Sequence, residues 1–193
     1  MRVVSVRLAA SITLALLVAA AVASDEPVSF VPWKVVIPGE TPSASPFILF
    51  WIPASADDFK HSEMLFSRQL TAFASQCVAM DVIRADDGPM IGKLGVAGAL
   101  PVAVLVDGDG KQLGKVDNEK GVLSVTAVER LVRDQLRARD AALDAQLEDA
   151  QRKAAAGDRD AAVVDYKAVW ELRCLAPKKA KTAQRELKKL GAQ

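Results

Sequence analysis

Few residues in this chain are of a type that could do chemistry. Its 193 residues include two cysteines, Cys77 and Cys174, and one histidine, His61. Thiol–disulfide exchange needs a thiolate of lowered pKa and a second thiol within reach to resolve the mixed disulfide. Two cysteines so far apart do not form such a pair. One histidine and two distant cysteines also cannot build a zinc site of normal ligand spacing. His61 follows Ser55 by six residues, a poor spacing for a shared helix face, so a surface or capping histidine is expected rather than the base of a nucleophilic pair. Asp107-Gly108-Asp109-Gly110 begins like a calcium loop but lacks the later ligands and the closing glutamate, and a tight turn explains it. No catalytic residue, metal ligand or cofactor site is therefore assigned.

Charge is equally restrained. Lys and Arg number 25 against 24 Asp and Glu, and removing Arg2 and Arg7 with a leader leaves 23 basic residues. Whole-molecule attraction to nucleic acid or to an anionic membrane is not implied. Lys178, Lys179, Lys181, Arg185, Lys188 and Lys189 crowd the C-terminal stretch against Glu186. A solvated helix face is expected there, with Ala180, Ala183, Leu187 and Leu190 inward, and contact with an acidic partner, nucleic acid or a membrane surface is the rival reading.

Residues 1–23 have the three regions of a secretory signal: Arg2 and Arg7, an apolar run over 8–22, and Ala21-Val22-Ala23 before Ser24. The run is short for a membrane span, so cleavage is expected in preference to a retained anchor, with no stable span left afterwards. The expected destination is periplasmic or secreted. An oxidising compartment would permit a Cys77–Cys174 disulfide, while two free, buried thiols are the other reading.

The elements that must position these residues follow from pattern. Residues 24–46 carry Pro27, Pro32, Pro38, Pro42 and Pro46, which leaves room for one short strand at Val35-Val36-Ile37. Phe47-Ile48-Leu49-Phe50-Trp51-Ile52 reads as a strand buried on both faces. A helical stretch over 57–75, a strand over 78–83, a short helix from Asp86-Asp87 to Gly95, a strand over 100–106 and a hairpin return over 111–116 come next. Thr126 and Glu129 then fit a capping box ahead of a long helix, and helices over 160–175, closed by Pro177, and over 178–190 complete the chain. The order predicts an α/β domain with a central sheet flanked by helices, then an all-α extension, with the boundary near residues 137–140.

That order over residues 47–137 resembles a thioredoxin-like domain. The resemblance is carried most specifically by Lys93-Leu94-Gly95-Val96-Ala97-Gly98-Ala99-Leu100-Pro101, a following apolar strand, and Asp107-Gly108-Asp109-Gly110-Lys111. It implies a cis peptide bond at Pro101 and a cleft near Trp51, Ala54 and Pro101 where relatives hold extended peptides. The turn before Pro101 is one residue longer than usual, and Val102 replaces a common threonine. At the redox site the departure is complete: Ser55 and Asp58 stand where the two cysteines would be, with Ala54 for the tryptophan. Residues 138–193 resemble a single degenerate tetratricopeptide unit, through Ala156-Gly157-Asp158, Ala162, Tyr166 and Pro177. One unit is too few to stack alone and needs something to pack on.

The resemblances together imply an exported, redox-inactive binding or scaffold protein with a protein or peptide partner and no nucleic-acid ligand. Two other functions remain open: an atypical thiol–disulfide oxidoreductase or peroxidase using an isolated cysteine, and an envelope assembly factor acting through the helical extension.

Overall fold

A computed structural model describes residues 28–192. The signal expected over 1–23 and the first residues of the 24–46 segment lie outside that range.

The prolines confine the N-terminal segment to one three-residue strand, β1 (Lys34–Val36), before β2 (Phe47–Ile52), every residue of which is buried. The helix expected over 57–75 is instead three pieces: α1 (Ala56–His61), a 3₁₀ turn (Glu63–Leu65) and α2 (Arg68–Ala74). Two serines cause the breaks. Ser62 and Ser67 both take extended backbone, and their hydroxyls accept from the N–H groups of Met64 (3.2 Å) and Leu70 (3.0 Å), so each begins a new turn. β3 (Val78–Ile83), α3 (Gly88–Lys93), β4 (Val102–Asp107) and β5 (Gln112–Asp117) follow. Asp107 shapes the β4–β5 turn by accepting from the N–H groups of Asp109 (3.1 Å) and Lys111 (2.9 Å).

The five strands form one mixed sheet in the order β1-β3-β2-β4-β5, parallel among the first three and antiparallel across β2-β4-β5. Side chains of a strand alternate between faces, so both faces of this sheet bury a core. Leu49, Trp51, Met80, Val82 and Leu105 pack on one side with Leu70 and Phe73 of α2. Ile48, Phe50, Ile52, Ile83 and Val104 pack on the other, beneath Leu94 at the end of α3.

The C-terminal third is helical: α4 (Val125–Ala155), α5 (Arg159–Glu171) and α6 (Pro177–Lys189). Ser124, not Thr126, caps α4 by accepting from the Ala127 N–H (3.3 Å), and Glu129 turns away to accept from the Ser67 hydroxyl (2.7 Å). The boundary expected near 137–140 falls inside α4, which is one uninterrupted helix. Its Val128 and Val132 belong to the sheet core, and its Leu143, Leu147 and Ala150 to a separate helical core. α5 stops at Glu171 rather than continuing to 175, and Pro177 opens α6 rather than closing α5. A proline at the first helical position lacks only an N–H that the helix could not use there. Among the described residues no helix is long and apolar enough to cross a membrane.

Candidate functional site

The site is built at the carboxyl ends of the parallel strands, where loops leave a sheet and ligands collect in open α/β folds. Ser55 ends the loop after β2 and caps α1, its hydroxyl accepting from the Asp58 N–H at 3.0 Å. Asp58 reaches back, and its carboxylate accepts from the Ala54 N–H at 2.8 Å. The two side chains thus close on each other's stretch of backbone and fix the start of α1. His61 is exposed, and its ring Nδ1 lies 2.9 Å from the Asp57 carbonyl oxygen on the same helix.

Pro101 lies at the same end of the sheet. β2 and β4 pair with Ile52 opposite Val102, so Pro101 stands level with Pro53, and the Leu100–Pro101 peptide bond is cis. Pro101 is buried, whereas Ala54 and Ser55 are exposed. Trp51 is two residues deeper and fully buried, with Trp33 and Phe59 rings each 5.3 Å from its own. Its indole N–H has no hydrogen-bond partner, alone among the buried side-chain nitrogens and oxygens of the described residues.

The open space lies to one side of the expected cleft. A groove of about 440 Å³ runs over Val35, Pro53, Ser55, Ala56, Phe59, Val82 and the loop of Arg84, Ala85 and Asp86. It therefore opens toward β1 and β3, and Trp51, Ala54 and Pro101 do not line it. Arg84 forms a two-pronged pair with Asp86 at its lip, at 2.9 and 2.6 Å. The hydrogen bond from Arg84 holds the Asp86 carboxyl below its ordinary range. Such a groove offers apolar walls with one charged pair at the rim. It is wide enough to hold an apolar side chain. Sequence reasoning passed over Phe59, Val82 and Arg84; the signal available was their place at the ends of the parallel strands.

The two cysteines are at the other end of the sheet. Cys77 directly precedes β3, next to the start of the parallel strand β2, so about 20 Å of strand separates it from Ser55. Cys77 and Cys174 form a disulfide with Cα atoms 5.8 Å apart, inside the normal range. It joins the turn between α2 and β3 to the turn between α5 and α6. Among the described residues no group of three or more His, Cys, Asp or Glu side chains could hold a metal ion.

One functional-looking residue has a structural role that the sequence reading overlooked. Asp81, fully buried in β3, accepts from the Ser43 N–H (2.7 Å) and the Ser43 hydroxyl (2.6 Å). It ties the proline-rich segment to the sheet. An aspartate in the middle of an apolar strand was the available signal, because a buried carboxylate must find donors.

Compared with known families and curated proteins, the sequence matches no family and no curated protein.

Proposed function

We propose that this is an exported, redox-inactive protein of thioredoxin-like architecture that serves as a binding or scaffold module, with a tetratricopeptide-like helical hairpin attached. One observation carries the reading. Ser55 and Asp58, at the positions of the family's reactive thiols, are taken up in fixing the start of α1, Ser55 accepting from the Asp58 N–H and Asp58 from the Ala54 N–H, while the only two cysteines are locked together at the opposite end of the sheet. The strand order and the mixed sheet support the fold assignment. The disulfide supports an oxidising compartment, and with it periplasmic or secreted placement. A protein or peptide partner would use the groove between Phe59, Val82 and Arg84. An enzyme built on Cys77 or Cys174 would first have to open the bond between them.

The test pairs loss with gain. The mature chain should show no turnover in insulin reduction, and a Ser55→Cys/Asp58→Cys variant should acquire it, because both residues already sit at the start of α1. Turnover by the unmodified chain would overturn the reading. Binding is tested by panning a peptide library against the mature chain and against Val35→Arg, which places a long charged side chain in the groove. Peptides that bind both equally would exclude the groove as the binding site.

A further inference from the structure

The two faces of α6 differ in how well they are partnered. Its inner face buries Ala180, Ala183 and Leu187 against the helical core. Lys178, Lys181, Arg185 and Lys188 follow one another at intervals of three, four and three, which places them on one exposed stripe. Some cations of the helical region meet carboxylates: Lys153 bridges Asp149 and Asp165, Lys179 bridges Asp140 and Asp144, and Lys189 meets Glu186. The four stripe cations meet no carboxylate of the described residues, and Arg185 bonds only the Thr182 hydroxyl. Like charges three and four residues apart repel, so this face destabilises its own helix until an anion covers it.

A groove of about 350 Å³ borders the stripe between α5 and α6, floored by Trp170 and Leu187 and flanked by Lys167 and Lys188. Arg173 stacks over the Trp170 ring at 5.4 Å. Charge is also divided along the chain. Residues 156–192 hold nine Lys and Arg against five Asp and Glu, while residues 28–124 hold eight against eleven.

We propose that the α5–α6 face docks an acidic polypeptide segment. Its carboxylates pair with the α6 stripe, and one apolar side chain enters the groove at Trp170. Charge complementarity selects an acidic partner, and the extent of the patch selects a polypeptide. The stripe runs for only about 15 Å of helix. Beyond it lies a sheet region with an excess of acids, which repels a uniformly charged nucleic-acid strand. A single aromatic offers no platform for successive bases. A membrane surface is disfavoured because Val164 is the only large apolar side chain exposed on these helices among the described residues. This face is separate from the groove at the carboxyl ends of β2 and β3, and either can fail without the other.

The experiment uses the oxidised mature chain at about physiological salt, where exposed charges are already screened beyond roughly 8 Å. Fluorescence anisotropy follows a labelled peptide of repeating Glu-Glu-Leu, with repeating Lys-Lys-Leu, a short oligothymidylate and phosphatidylglycerol vesicles as the other arms. The acidic peptide should bind saturably and more tightly than the other three. Lys181→Glu combined with Lys188→Glu should weaken it by about tenfold or more, with the far-ultraviolet dichroism unchanged. Val35→Arg, in the other groove, should leave it unchanged. The proposal is overturned if the acidic peptide fails to saturate, if the charge-reversed variant keeps its affinity, or if the oligonucleotide or the vesicles bind as tightly.

Discussion

The sheet region and the helical hairpin bury their cores in contrasting ways. The sheet is covered on both faces by large side chains, among them Leu49, Phe50, Trp51, Ile52 and Leu105. The core of the hairpin mixes small and large residues, Ala150, Ala162, Ala176 and Ala183 among Leu143, Leu147, Tyr166, Val169 and Leu187. Burial stabilises in proportion to apolar area, so the sheet region has far more to hold it together. Between the two lie residues 137–142 of α4, exposed on every side. The hairpin is thus carried on a bare stretch of helix and braced by tethers. The difference suggests that the sheet region folds on its own burial, and that the hairpin keeps its place through specific links.

The disulfide is the strongest of those links, and removing it should have the largest effect. It spans 97 positions, and the chain-entropy model credits a loop of that length with about 4–5 kcal/mol. Cys77→Ser with Cys174→Ser, or reduction of the unmodified chain, should therefore lower stability by an amount of that order. The loss should be uneven. Amide exchange should speed first in α5 and α6 while β2, β3 and β4 stay protected. One cooperative transition for both regions, before and after reduction, would dissolve the distinction between them.

Asp81 is the next largest, and it belongs to the sheet region. Asp81→Ala leaves the Ser43 N–H without its acceptor and empties a buried site, which should cost about 2–3 kcal/mol. Asp81→Asn keeps one acceptor oxygen and should recover part of that. The proline-rich segment, not the hairpin, should loosen, which limited proteolysis between residues 37 and 46 would reveal. Cleavage appearing in the hairpin instead would mean that the two regions are coupled through the sheet.

The pH dependence differs between the regions, although each holds groups shifted both ways. In the helical part Lys179 is partly buried, which works against its charge, but the Asp140 and Asp144 carboxylates more than offset this and raise its pKa. Asp149 and Asp165 raise that of Lys153, and burial, helped by Glu186, raises that of Tyr166. Groups raised on folding contribute fully below their unfolded values of roughly 10 and lose that contribution as pH climbs through the folded ones. In the sheet region hydrogen bonds from Lys34 and Arg84 lower Glu40 and Asp86, whose contributions fade as pH falls through their folded values. Asp149, lowered mainly by Lys153, adds an acid-side contribution to the hairpin. Alkaline titration above about pH 10 should therefore release the hairpin first. Lys179→Met should flatten that part of the curve, as read by the helical signal in far-ultraviolet circular dichroism. An alkaline limb that Lys179→Met leaves unchanged would remove Lys179 from the list of tethers.

How much of this was legible in sequence divides along the same line. β2 and β3 were readable to the residue, because a six-residue apolar run between turn signals has few alternatives. The helical breaks at Ser62 and Ser67 were not, because a serine inside an amphipathic pattern shows no preference until its hydroxyl is seen to cap. Pro177 is compatible with ending one helix or starting the next, and only the Leu172–Ala176 turn decides between them. At the candidate site, Ser55, Asp58 and Pro101 were singled out by the resemblance to a thioredoxin-like domain. The groove itself could not, since Phe59 and the stretch from Val82 to Arg84 come from separate parts of the chain and meet only when β3 lies beside β2.

The smallest expected effect concerns the joint between the regions. α4 lies so close to β5 that a Cβ at Gly114 would overlap Leu131 Cδ1. The atom in the way is the end of a flexible, half-buried side chain, so Leu131 can turn aside. Alanine also orders more cheaply than glycine in a strand, by about 0.5–1 kcal/mol, which offsets the crowding. Gly114→Ala should therefore move the urea midpoint by less than the equivalent of about 1 kcal/mol, whereas Gly114→Val, which overpacks, should cost about 1–3 kcal/mol. If alanine already costs as much as valine, the first half of α4 is clamped on the sheet and any hinge must lie at residues 137–142. If valine is also tolerated, α4 can lift from β5, and the bare segment is not where the hairpin turns.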